Sequence, residues 1–137
     1  ASRGANGIDG QLATYFGLSE ADEESWGIFG DLTALYDLNA PAMLDQLPKA
    51  RRRLVVINNG GGKIFSRLPS LSGLNAEEKQ VTENHHERSF ESWASMWGMD
   101  YVRWSAGDEA PAIEGDSLVV EVVPSEEETE NFWASWK

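Results

Sequence analysis

The 137-residue chain is long enough for one domain with its own core, and its makeup, 41% apolar and 25% charged, is that of a globular protein rather than a disordered one. A net charge of −12 repels nucleic acid and anionic membrane on average, and no apolar run approaches the ~18 residues of a membrane span. With no cysteine, disulfides, cysteine metal sites and thiol catalysis are excluded, which fits the cytosol.

The opening Ala1 to Gly10 is polar and glycine-rich, with no Met and no apolar signal-peptide stretch. It reads as a loop from inside a longer chain, so residues 1–137 are expected to be a single domain excised from something larger. Ile8, Leu12, Tyr15 and Phe16 recur near helical spacing, and Gly17 is expected to stop that helix. Ser25 to Phe29 is a short apolar run ending in Gly30-Asp31, as a strand feeding a functional loop would be. Pro41 suits the first turn of a helix running to Leu47 and Pro48.

Lys49 with Arg51, Arg52 and Arg53 forms the one basic cluster, expected to be a solvated turn ahead of the next strand. That strand, Leu54-Val55-Val56-Ile57, is a continuous run bounded by charges and Asn-Asn-Gly, the pattern of a buried parallel strand. Residues 66–83 read as a long polar loop. Phe90, Trp93, Ala94 and Trp97 define an amphipathic helix ending at Gly98. The adjacent pair His85-His86 reads as surface or helix-start residues, because neighbours on a helix face different ways. Tyr101 to Trp104 and Ser117 to Val123 are two further strands. Ser125 with Glu128 makes a capping box for a last helix, whose apolar residues are Phe132, Trp133 and Trp136.

Strands alternating with helices predict an α/β domain, three-layer, with a mostly parallel sheet and helices on both faces. Ligands bind such sheets at the carboxyl ends of strands. Two strand ends carry unusual residues: Gly30-Asp31 and Asn58-Asn59-Gly60-Gly61-Gly62. Asp31 offers a carboxylate and Asn59 an amide oxygen. The glycines let a carbonyl turn inward and let the chain approach a ligand closely. Such hard oxygens suit Mg²⁺, completed by phosphate oxygens and water, so a cation could anchor a diphosphate on an acidic protein. Each strand end alone is also a good turn sequence.

Gly30-Asp31-Leu32, then 25 residues, then Asn58-Asn59 resembles the thiamine-diphosphate signature, Gly-Asp-Gly followed after about two dozen residues by Asn-Asn; Leu32 replaces its third glycine. Three blocks narrow the resemblance: Arg3 to Gly10, Gly30-Asp31-Leu32-Thr33-Ala34-Leu35-Tyr36-Asp37-Leu38-Asn39, and Asn58 to Phe65. Together they are similar to the family of menaquinone-biosynthesis synthases that make 2-succinyl-5-enolpyruvyl-6-hydroxy-3-cyclohexene-1-carboxylate. The resemblance covers residues 3 to about 70 and is general beyond residue 84.

It implies a thiamine-diphosphate-binding fold, shortened at its N-terminus relative to the family. It implies thiamine diphosphate and Mg²⁺ (or Mn²⁺) as cofactors, with Asp31, the Asn59 side chain and the Gly61 carbonyl as metal ligands. Leu32 and Thr33 would offer N–H groups to the diphosphate. Ile8 would wedge beneath the thiazolium, and the backbone around Asn6 and Ile8 would meet the aminopyrimidine. Ile64 and Phe65 would wall the reaction pocket, and Arg3 would contact anionic substrate. Each of Ile8, Ile64 and Phe65 also suits a core position, while Asp37 would order the loop after the metal ligand.

For the whole protein the resemblance implies decarboxylation of 2-oxoglutarate and addition of the succinyl-semialdehyde carbanion to isochorismate, in a cytoplasmic homodimer or homotetramer. No glutamate of this chain sits in a motif for the group that activates the pyrimidine; the family places it in the remaining pyrimidine-binding domain. The chain alone is therefore expected to be inactive. Two other readings remain: another thiamine-dependent 2-oxoacid decarboxylase or acetolactate-type synthase, and a non-catalytic α/β interaction module.

Overall fold

The computed structural model describes residues 7–19 and 23–135. In chain order these form α1 (Gln11–Leu18), β1 (Glu24–Gly30), α2 (Asp31–Tyr36), a 3₁₀ helix (Ala40–Gln46) and β2 (Arg51–Ile57). Two 3₁₀ turns follow (Lys63–Arg67 and Pro69–Leu71), then α3 (Ala76–Thr82), α4 (Glu91–Met96), β3 (Asp100–Ser105), β4 (Ser117–Val123) and α5 (Glu126–Ser135). The strands make one sheet in the order β1-β2-β4-β3, and every pairing is parallel. With helices packed around it, this is the expected α/β domain. Among the described residues no helix is long and apolar enough to cross a membrane.

The central strands carry the hydrophobic core on one face of the sheet. Leu54 and Val56 of β2 and Val119 of β4 are fully buried, and they meet Leu12 and Phe16 of α1, Ala34 of α2, and Phe90 and Trp93 from the α4 region. That apolar face is covered by α1, α2 and the α4 region, which keep it from water. The indoles of Trp93 and Trp97 both donate to the Leu38 carbonyl, at 2.7 and 3.0 Å, which ties α4 to the segment after α2.

Several expectations are corrected. The basic cluster is not a solvated turn, since Arg51 to Arg53 begin β2 and both Arg52 and Arg53 are buried. Arg52 donates to Ser19 Oγ (2.8 Å) and the Pro48 carbonyl (2.7 Å), and Arg53 to the Gly115 carbonyl (2.8 Å), with the Glu24 carboxylate 3.9 Å from its Nε. Arg51 alone stays exposed, paired with Glu24 at 3.1 Å.

Residues 66–83 are not a structureless loop. Asn75 caps α3 by accepting from the Glu78 N–H (3.0 Å), and Glu78 reaches back to the Asn75 N–H (2.9 Å). Gly17 does not stop α1, which runs on to Leu18. The Pro41 segment is a 3₁₀ rather than an α-helix. Phe132 and Trp133 of α5 remain about half exposed, with Arg67 seated over the Trp133 ring, while Trp136 lies outside the described residues.

Asp37 has a definite task. Its carboxylate accepts from the Gly10 N–H (2.6 Å) and the Leu12 N–H (2.8 Å), so a residue just after α2 caps the start of α1. This fixes the approach of the Ile8 segment to the end of β1. Asp37→Ala leaves two amides without an acceptor. We expect a loss of about 1–3 kcal/mol and faster hydrogen exchange at Gly10 and Leu12, with the Leu54 amide of the central sheet less affected.

Candidate cofactor and metal site

The register of the sheet creates the site. Gly30 stands opposite Ile57, and Ile57 opposite Val122, so Asp31 and Asn58 leave neighbouring parallel strands at the same carboxyl edge. Asp31 is the first residue of α2 and is only 3% exposed. A carboxylate can be buried there because it is well supplied with donors. Its Oδ1 accepts from the Leu32 N–H (2.7 Å) and its Oδ2 from the Gly61 N–H (2.8 Å). The second bond joins the two strand ends directly.

The glycine run admits a close approach from within the chain. Gly60 and Gly61 have φ of 80° and 134°, and a Cβ on Gly61 would lie 2.7 Å from the Glu83 carbonyl oxygen. What approaches closely is the backbone of residues 83–86. The Gly62 N–H donates to the Glu83 carbonyl (2.6 Å), and the His86 N–H to that of Gly60 (3.1 Å). The loop is thus clasped from outside while its inner edge meets Asp31.

The remaining predicted residues fall around this junction. Asn59 is exposed and makes no hydrogen bond among the described residues, so its amide is available. The Gly61 carbonyl accepts from the Lys63 N–H at 2.9 Å and keeps a second lone pair. Ile64 and Phe65, on the next 3₁₀ turn, are 71% and 40% exposed and so are not core residues. Ile8, also exposed, lines a groove of about 640 Å³ together with Gly30 and Thr33. Leu32 and Thr33 are half-buried, and the Leu32 N–H is turned to Asp31. Arg3 and Asn6 lie outside the described residues.

Sequence reasoning missed His86. It is not on a helix; it sits on an irregular segment with its side chain buried, Nε2 3.3 Å from Asp31 Oδ2. Its Nδ1 accepts from the Arg88 N–H at 3.1 Å, which leaves Nε2 to carry the proton of the neutral ring. The approach to Asp31 is within ion-pair distance but poorly aligned, so Nε2 is buried without a hydrogen bond. The doublet His85-His86 is the only sequence trace of this.

The donors fit a hard cation. Asp31, the Asn59 amide and the Gly61 carbonyl are oxygens with lone pairs to spare, and a buried carboxylate beside an unsatisfied ring nitrogen marks a polar centre. Among the described residues no three His, Cys, Asp or Glu side chains cluster, so a cation held here would depend on amide, carbonyl and phosphate oxygens.

Glu121 of β4 is a second buried carboxylate, 1% exposed, near the same edge. Burial pushes its pKa up, but hydrogen bonds from Tyr101 (2.6 Å), the Phe90 N–H (3.0 Å), Asn58 (2.6 Å) and Ser89 (3.0 Å) outweigh this and hold it below its ordinary value. Tyr101 is pushed up, by burial and then by Glu121, and so stays a donor.

The fold is an α/β domain consistent with the thiamine-diphosphate-binding type. No protein-family model matches the chain. It is 42% identical over 99% of its length to the 2-succinyl-5-enolpyruvyl-6-hydroxy-3-cyclohexene-1-carboxylate synthase of Bdellovibrio bacteriovorus, covering 25% of that protein. To the synthase of the same name from Akkermansia muciniphila it is 41% identical over 96% of its length, covering 26%. To that from Pectobacterium carotovorum it is 45% identical over 74%, covering 18%. The chain thus matches one segment of these synthases, and it spans about a quarter of the length of the curated relatives that match nearly all of it.

The Glu121 network carries a pH dependence. A carboxyl with a lowered folded pKa stabilises fully above its unfolded value, near 4.5, and that contribution is lost as pH falls through the folded pKa. Glu121→Gln should therefore cost about 1.5–3 kcal/mol near neutrality. The difference in Tm between variant and parent should shrink below about pH 4.5; a gap that stays constant down to pH ~3 contradicts the assignment.

Proposed function

We propose that this chain is the single diphosphate- and metal-binding domain of a larger thiamine-diphosphate-dependent synthase of menaquinone biosynthesis. The whole protein would decarboxylate 2-oxoglutarate and add the resulting succinyl-semialdehyde unit to isochorismate. The observation that carries the reading is the direct contact of Asp31 with the Gly61 backbone at the ends of two adjacent parallel strands. The name shared by the relatives supports the choice of reaction.

In this reading Asp31, Asn59 and the Gly61 carbonyl hold Mg²⁺ or Mn²⁺, which neutralises a diphosphate that a chain of net charge −12 would otherwise repel. Leu32 and Thr33 contribute N–H groups, which requires the Leu32 amide to be shared with Asp31. Thiamine diphosphate, when bound, supplies the electron sink for decarboxylation. The protein supplies position and the exclusion of water. Ile8 supports the cofactor rings with the backbone near Asn6. Ile64 and Phe65, exposed here, wall the reaction pocket, and Arg3 pairs with an anionic substrate group. Apolar walls strengthen every charge contact made between them.

The remaining pyrimidine-binding domain, with its activating glutamate, belongs to the rest of the protein, which would act in the cytoplasm as a homodimer or homotetramer. The 137-residue chain alone would be inactive.

The test is CO₂ release by the full-length protein with Mg²⁺ and thiamine diphosphate. Release should require 2-oxoglutarate, rise with isochorismate, and fall at least ~100-fold in Asp31→Ala, given that removing a metal ligand disables the anchor. Release from pyruvate instead would discard the substrate assignment. No release from either would favour an interaction module.

A further inference from the structure

We infer that Glu121 is a positioning residue for the metal site: through Asn58 and the 86–90 segment it sets the shape of the loop that meets Asp31. This rests on the cofactor reading above. Glu121 itself touches none of the proposed metal ligands. Its Oε1 accepts from Asn58 Nδ2 at 2.6 Å, and the same amide donates to the Arg88 carbonyl at 2.7 Å. With its NH₂ so engaged, Asn58 must turn Oδ1 toward the loop, where it accepts from the Gly60 N–H at 3.3 Å. The first Asn of the Asn-Asn pair is therefore a clip rather than a ligand, and Glu121 decides which way it faces.

The other oxygen of Glu121 works on the outside of the loop. Oε2 accepts from the Phe90 N–H and from Ser89, both at 3.0 Å, and so fixes the segment whose earlier part clasps Gly60 and Gly62. That segment also carries His86 to within 3.3 Å of Asp31. Two routes thus run from one buried carboxylate to one ligand set, through the loop's start and through its clasp. Tyr101 also donates to Oε2, at 2.6 Å, and its hydroxyl lies 3.3 Å from Ser89 Oγ, but among the described residues it makes no bond to Asn58 or to the Phe90 N–H.

This separates positioning from mere stabilisation. In Glu121→Gln, one of the two oxygens becomes an NH₂ group, which can accept neither from Asn58 nor from the Phe90 N–H. Whichever side it takes, one of the two routes loses its bond to residue 121. Tyr101→Phe removes one hydrogen bond from the same carboxylate but leaves Asn58 as it is. Both variants should lower Tm. Only the first should disturb the loop.

The experiment uses the full-length protein, stripped of metal, with thiamine diphosphate present. Mg²⁺ is titrated in and cofactor binding is followed by intrinsic tryptophan fluorescence, with Tm measured in parallel. Glu121→Gln should raise the Mg²⁺ concentration for half-saturation about 10-fold or more, the range found when groups behind metal ligands are removed. Tyr101→Phe should leave it at the parent value despite a lower Tm. Asn58→Ala, which cuts the first route from its other end, should reproduce the metal defect if Glu121→Gln does not fold. Unchanged Mg²⁺ dependence in both Glu121→Gln and Asn58→Ala overturns the inference, as does a metal defect in Tyr101→Phe of the same size. A parent protein that binds thiamine diphosphate without any need for Mg²⁺ sinks instead the metal reading on which this rests.

Discussion

Parallel pairing of β1 with β2, with Gly30 set against Ile57, is the constraint on which the rest depends. A parallel pair sends both chains out of the sheet at one edge. Asp31 and the Asn58–Gly62 loop therefore emerge as neighbours, though they lie far apart in sequence. Their separation in the chain is filled by a crossover through α2 and the 3₁₀ helix, as parallel pairing requires. Once they are adjacent, the Gly61 N–H reaches the Asp31 carboxylate and the edge closes.

Burial then does the electrostatic work. Two carboxylates, Asp31 and Glu121, are taken out of water near this edge, and each is met by several donors rather than by a single opposite charge. Donors built from backbone N–H groups hold direction as well as charge, because the backbone cannot turn away without breaking its own ladder. A lone guanidinium could swing free. Arg52 and Arg53 show the converse: buried cations of β2 directed at loop carbonyls and a serine, which tie the amino end of the sheet together just as the carboxylates tie its carboxyl end.

The chain's large-scale pattern was legible because it follows apolar periodicity. Leu54 to Ile57 and Ser117 to Val123 read as strands on sight, and placing Asp31 beside the Asn58–Gly62 loop needed only the rule that parallel sheets bind ligands at carboxyl ends. Arg52 and Arg53 were misread because charge suggests solvent; only the fold reveals the acceptors that await them. The segment 66–83 was misread for its polarity, although Asn75 and Glu78 carry a capping signature. His86 was not legible at all. Its burial is decided by the close approach of the glycine loop, a contact no local pattern encodes. The glycines were noticed for close approach, and the structure shows the backbone of residues 83–86 using it.

The central claim is that this strand edge holds a diphosphate through a cation seated on Asp31. Calorimetric titration of thiamine diphosphate into the metal-stripped full-length protein tests it most directly. The account predicts binding that appears only when Mg²⁺ or Mn²⁺ is supplied and that is lost in Asp31→Ala. Equal binding with and without the cation, or binding untouched by that substitution, would contradict it.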